Sequence, residues 1–162
     1  MSRVVRIVLV LATLPALHFL LQVGFGAGRW APDLLTLALL LVAREMRMSS
    51  AALTGLVLGL LEDAFSILAF GANAAAMAIL GVLGARSRDL FVGESVLFHL
   101  GYLFLGGWIR AILHWTFSGE GARTGFREVF LLEGPVDALW MAVAGLLVLV
   151  LVGGLRPEPG RS

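Results

Sequence analysis

The sequence carries twelve cations, all of them arginine, eleven carboxylates and three histidines, and several of these lie inside apolar runs. Glu62-Asp63 follows the apolar run Gly55–Leu61. Arg110 and His114 sit in an aromatic-rich stretch, Asp33 follows Pro32, Asp137 follows Pro135 by two positions, and His18 lies within the first apolar run. An intramembrane hydrolase would need a base or metal ligands, and the candidates are Glu62, Asp63, His99 and His114. The spacing argues against it. No HExxH or GxSxG pattern occurs, and the two later histidines are too far apart in sequence to share adjacent helical turns. Cysteine is absent, which excludes thiolate chemistry and disulfides. Phosphate-binding and nucleic-acid motifs are missing as well. No catalytic residue, metal or cofactor is expected, and nucleic acid is not an expected partner.

The elements that must position these groups follow from composition. The chain is 59% hydrophobic and 14% charged, where a soluble domain is about 25% charged, so its solvent is expected to be lipid. Six spans of about 20 residues would use most of the chain and leave no soluble domain. Arg3 and Arg6 precede an uncharged run from Ile7 to Gly28 that is longer than a signal-peptide core, which predicts a retained first span containing Pro15. Pro32-Asp33 is expected to open a second helix, with the carboxylate on the positive end of its dipole, and Arg44 and Arg47 to close it. The region from Met48 to Arg86 admits one helix from Ala64 to Ala85, or two helices meeting between Ser66 and Asn73. In the second case Gly71 permits the turn and Asn73 can cap the next helix. A fifth span runs from about Val92 to Phe117, and a polar loop follows from Ser118 to Arg127. The last span begins around Pro135 and ends at Leu155. Residues 1–155 thus form a single six-helix transmembrane domain, and 156–162 a short cytoplasmic tail.

Charge selects the two-helix partition of the middle region. It then places Arg3, Arg6, Arg44, Arg47, Arg86, Arg88, Arg156 and Arg161 on one side, against Arg29, Arg123 and Arg127 on the other. The richer side is cytoplasmic by the positive-inside rule, with both termini there. At 1.5 Å of rise per residue, Glu62 and Asp63 lie about 21 Å along helix 3 and Arg110 about 27 Å along helix 5. Asp33, Asp137 and His18 reach the same outer level. Asp33, Glu62, Asp63, Arg110, His114 and Asp137 therefore define an outer polar cluster, either an ion-pair network that fixes packing or a binding cavity. At about 100° per residue, Ala52, Gly55, Gly59, Glu62, Asp63 and Ser66 share one side of helix 3, whereas Leu53, Val57, Leu60 and Ala64 share the other. His99, Gly106, Gly107, Arg110 and His114 share an arc of helix 5. Arg110 is expected to pair with Glu62 or Asp63, since an unpaired charge in hydrocarbon is costly.

Small residues at four-residue spacing allow close helix approach in lipid. Ala12 with Ala16 and Gly55 with Gly59 offer either internal packing or a face for a partner helix; Ala74 with Ala78 and Ala138 with Ala142 repeat the spacing.

Pro32-Asp33-Leu34, Arg44, the run Gly55-Leu56-Val57-Leu58-Gly59-Leu60-Leu61-Glu62-Asp63 and Gly71-Ala72-Asn73-Ala74 occur in that order. This order resembles the rod shape-determining protein MreD family, with the motif evidence concentrated in residues 32–78. The sequence departs from the family pattern at Ile67 to Phe70, which is bulkier, and at Ala72. The resemblance implies a non-enzymatic scaffold of the bacterial cell-wall elongation machinery in the cytoplasmic membrane. Its direct partner would be an MreC-like bitopic protein, linked in turn to MreB filaments and peptidoglycan synthases. It also implies a fold similar to the substrate-binding subunits of energy-coupling-factor transporters, so the alternative is a vitamin-like small-molecule binding subunit. Membrane lipid is a further expected partner, and a homo-oligomer is compatible with the small-residue faces.

Overall fold

The computed structural model describes residues 2–26, 31–65, 69–90, 95–119 and 125–151. Arg29, Arg123, Ser66 and the tail from Arg156 lie outside them. Six helices account for the secondary structure among the described residues, and no strand occurs there. They are α1 (Arg3–Gly24), α2 (Leu34–Ala43), α3 (Met48–Asp63), α4 (Ala72–Leu90), α5 (Val96–Phe117) and α6 (Phe126–Leu151).

Local chemistry sets the helix ends. The Ser2 and Ser95 hydroxyls accept from the Val5 and Phe98 amides and start α1 and α5. Asp33 caps α2, accepting from the Thr36 amide at 3.0 Å and the Thr36 hydroxyl at 2.6 Å. Pro32 therefore precedes the cap and is not part of the first turn as expected. Gly71 adopts φ +92°, a left-handed conformation that suits glycine, one residue before α4. The region from Met48 onward is two helices.

The last helix departs from its expected boundary. It begins at Phe126, inside the segment read as loop, and runs through Pro135. Its turn over Val129–Glu133 is widened, with the Gly134 amide bonding to the Val129 carbonyl. Proline has no amide to donate and its ring crowds the carbonyl four residues back, so it reads as a start; a widened turn accommodates it inside a continuous helix. Α1 likewise passes through Pro15 and ends in a wide turn over Leu20–Gly24.

Consecutive helices run antiparallel, which gives the bundle an upper end, where Asp33 and Asp63 lie, and a lower end, where Arg6 lies 2.6 Å from Glu45. At the centre stands α2, whose residues from Leu34 to Ala43 are buried except Leu41. Leu35, Leu37 and Leu39 pack there with Leu58, Met77, Leu80, Leu103 and Met141. The tightest packing joins α3 to α4. A Cβ on Gly59 would lie 2.5 Å from the Ala74 Cα, and one on Gly55 or Gly81 would overlap the Met77 or Ala51 carbonyl. Α5 and α6 approach through Gly107 and Ala138.

Among the described residues, three helices are long and apolar enough to cross a membrane: α1, α5 and α6, with 22, 22 and 26 residues. Α2 has ten residues, about 15 Å of helix against a hydrocarbon core of about 30 Å. Leu53, Val57 and Leu60 of α3, and Val4, Val5, Val8, Leu9, Leu17, Leu20 and Val23 of α1, project from the bundle as exposed apolar surface.

Candidate functional site at the upper end

The upper end gathers residues from all six helices. Arg110 is its centre, with a side chain only 16% exposed. Its Nη2 donates to both carboxylate oxygens of Glu62 at 2.6 Å and to the Asn73 Oδ1 at 2.9 Å. Its Nε lies 3.2 Å from the Asp33 Oδ2, at ion-pair distance but without hydrogen-bond alignment. One guanidinium thereby ties α5 to α2, α3 and α4. The charges of two carboxylates around a single cation are compensated only while that cation is present.

Asp63 does something different from its neighbour. It is fully buried, and its Oδ2 accepts from the Gly71 and Ala74 amides at 2.9 Å while its Oδ1 accepts from the Asn73 amide at 3.1 Å. The carboxylate holds the amides at the start of α4, where it also faces the positive end of the helix dipole. The capping role expected of Asn73 belongs to Asp63, and the Asn73 side chain is free to turn towards Arg110. Removing this carboxylate has a definite expected result. Asp63→Asn places an amide where three N–H donors converge, so it should destabilise the protein by about 2–3 kcal/mol, the value of a charge-assisted hydrogen bond or more. Thermal unfolding in detergent measures the loss, and amide exchange at Gly71, Asn73 and Ala74 should accelerate before that of the rest of α4. An unchanged melting temperature would reject the cap.

Two histidines face the same space. His18 is 4% exposed, and its Nδ1 is buried without a hydrogen-bond partner; the Nδ1 of His114 is in the same condition. They border a cavity of about 350 Å³ together with Gln22, Glu62, Asn73 and Arg110, walled by Phe19 and Phe65. The rings of these two phenylalanines lie 5.0 Å apart. A second cavity of about 380 Å³ lies towards α6, lined by His18, Gln22, Asp33, Arg110, Asp137 and Trp140. The ensemble offers hydrogen-bond acceptors and imidazole nitrogens around a guanidinium that is already engaged. Among the described residues, no group of three His, Asp or Glu side chains is placed to hold a metal.

Of the residues singled out from sequence, Asp33, Glu62, Arg110, His114 and Asp137 border these cavities, and Asp63 lies immediately behind as a cap. His99 is elsewhere. It sits at the lower end of α5, with its Nδ1 3.0 Å from the Ser95 carbonyl, and shares no chemistry with Arg110. Gly55 and Gly59 are spent on packing against α4 within the chain, so they present no face to another helix. Ala12 and Ala16 are both exposed on α1. His18 and Gln22 carry weaker sequence signals. His18 stands out only by depth, and Gln22 has no pattern around it that distinguishes it from other polar residues near a helix end.

No protein-family model matches this chain, and no curated protein or solved structure matches it.

Proposed function

We propose that this chain is a six-span protein of the bacterial cytoplasmic membrane, a non-enzymatic scaffold of the MreD type that binds an MreC-like bitopic protein and helps maintain rod shape. The observation that carries the reading is where the motif residues lie. Asp33 caps α2, Asp63 caps α4, Gly71 makes the intervening turn, and Glu62 meets Arg110. The residues on which the family resemblance rests are thus the ones that build the upper end, which explains why residue types should recur there in this order. In this reading α2 crosses inside the bundle, α3 and α4 cross as a packed pair with Leu53, Val57 and Leu60 of α3 facing lipid, the lower end is cytoplasmic, and the exposed face of α1 around Ala12 and Ala16 is the contact surface for the partner helix. MreB filaments and peptidoglycan synthases are reached through that partner.

The test has two parts. Single cysteines at Ser49, Phe70 and Gly119, all exposed, probe the crossings between them. Ser49→Cys should label from the cytoplasmic side of intact cells, and Phe70→Cys and Gly119→Cys from outside. Labelling of positions 49 and 70 from one side would reject the six-span arrangement. Co-expression with an MreC-type protein and tandem purification should then yield a stoichiometric complex that Ala12→Leu or Ala16→Leu disrupts. A correctly inserted chain that never co-purifies with that partner would reject the scaffold.

A second reading, a small-molecule binding subunit of a transporter, is favoured by the cavity beside His18 and His114 and by their unpartnered nitrogens. Purification with a bound vitamin-like molecule would support it over the scaffold.

A further inference from the structure

The lower half of the bundle contains a groove that neither the cluster nor the proposed partner face uses. It lies between α4 and α5 over α2, with a volume of about 290 Å³, and its lining is almost wholly apolar. Tyr102 fixes its shape by donating its hydroxyl to the Leu40 carbonyl at 2.9 Å, which holds α5 against α2. The slot stays open because Gly101 has no side chain: a Cβ there would meet nothing within 4 Å, unlike one on Gly84 or Gly106. Leu97, 78% exposed, and Leu105, 49% exposed, form its outer rim and face whatever surrounds the protein.

A cation stands at the groove's lower end. The Arg44 guanidinium lies 4.8 Å from the Phe98 ring centre and 5.5 Å from that of Tyr102, two rings that line the groove. Its Nε is buried without a hydrogen-bond partner. The adjacent carboxylate, Glu45, is occupied by Arg6 at 2.6 Å and Arg3 at 3.7 Å. Arg47, Arg86 and Arg88 belong to the same end of the bundle. An apolar slot that ends in an arginine is complementary to an amphiphile with a negative head.

We propose that this groove holds one acyl chain of an anionic phospholipid of the inner leaflet, with the lipid phosphate on Arg44. The inference rests on the six-span reading, which puts the arginine-rich end at the cytoplasmic surface, where anionic lipids attract basic side chains. A guanidinium donates to phosphate through two parallel N–H groups, and its cation–π contacts with Phe98 and Tyr102 keep it at the groove's lower end.

Native mass spectrometry of the full chain, titrated in detergent with dioleoylphosphatidylglycerol or dioleoylphosphatidylcholine, tests it. The expected result is one retained phosphatidylglycerol, bound about fivefold more tightly than phosphatidylcholine, the ratio for one arginine at a headgroup of net negative charge; phosphatidylcholine carries the same phosphate, but its own choline cancels the charge. Arg44→Gln should erase the preference while leaving weak binding of both lipids. Gly101→Leu fills the slot and should remove the retained lipid. Leu97→Glu changes only an exposed rim position, so it reads the site even if the Gly101 variant folds poorly; it should lower phosphatidylglycerol binding and spare phosphatidylcholine. Equal binding of the two lipids by the unmodified chain, or a preference that survives Arg44→Gln, would overturn the proposal. So would a retained lipid that persists in folded Gly101→Leu. The cysteine labelling at positions 49 and 70 decides the membrane reading separately, so a failed lipid site and a failed topology give different results.

Discussion

Arg110→Met should be the most damaging single substitution at the upper end. It leaves Glu62 and Asp33 without the cation that both approach, at 2.6 Å and 3.2 Å, and removes the link between α5 and the three preceding helices. Breaking a buried ion pair from one side costs about 3–5 kcal/mol, since the remaining charge keeps its desolvation penalty and loses its compensation. Thermal unfolding in detergent should show the loss for Arg110→Met, with a smaller one for Glu62→Gln. The double variant should lose less than the sum of the two, with a coupling of about 0.5–3 kcal/mol. Asp33 still faces a missing cation in that double variant, so recovery should be partial. Asp63→Asn combined with Arg110→Met should couple less than the Glu62 pair, because Asp63 serves the amides at the start of α4 and reaches the guanidinium only through Asn73. Strict additivity for the Glu62 pair, or strong coupling for the Asp63 pair, would reject this division of labour. Partner binding measured on the Arg110→Met/Glu62→Gln protein then asks whether the cluster is only structural: a folded protein that no longer binds would place the cluster in the functional surface.

Gly59→Leu is expected to separate α3 from α4. A Cβ at this position would already lie 2.5 Å from the Ala74 Cα and the Asn73 carbonyl oxygen, both backbone atoms that cannot rotate away. Relief requires the two helices to move apart, which also pulls Asp63 from the Gly71, Asn73 and Ala74 amides and Glu62 from Arg110. Overpacking alone costs about 1–3 kcal/mol, and the linked losses should bring this variant near the limit of folding. Gly59→Ala should already lower the melting temperature, while Leu60→Ala, on the exposed face of the same helix, should change it little. A Gly59→Leu protein as stable as the unmodified chain would show that α3 and α4 do not approach as closely as described.

Helix periodicity carried a large part of the fold into the sequence. Gly55, Gly59 and Asp63 fall on the buried side of α3 and Leu53, Val57 and Leu60 on the exposed side, because the pattern repeats with the helical turn and needs no knowledge of neighbours. Charge placement carried the division between Asp63 and Gly71, since the two-helix partition alone gathered the arginines. Pro135 misled because its missing amide signals a helix start as readily as a widened turn. The His99 and Arg110 arc misled in another way: residues on one face of a long helix share a direction but can sit at opposite ends, and α5 is 22 residues long.

From the sequence alone came a helical chain rich in apolar residues and the helix ends at which its charges lie, because composition and a constant rise per residue are properties of the chain itself. Only the tertiary structure decided which charge meets which. Glu62 and Asp63 are adjacent, so their side chains leave α3 about 100° apart. One direction leads to Arg110 on α5 and the other to the amides of α4. The choice depends on how α3 is rotated against both neighbours, a quantity set by backbone contacts at Gly55 and Gly59 that no spacing rule contains.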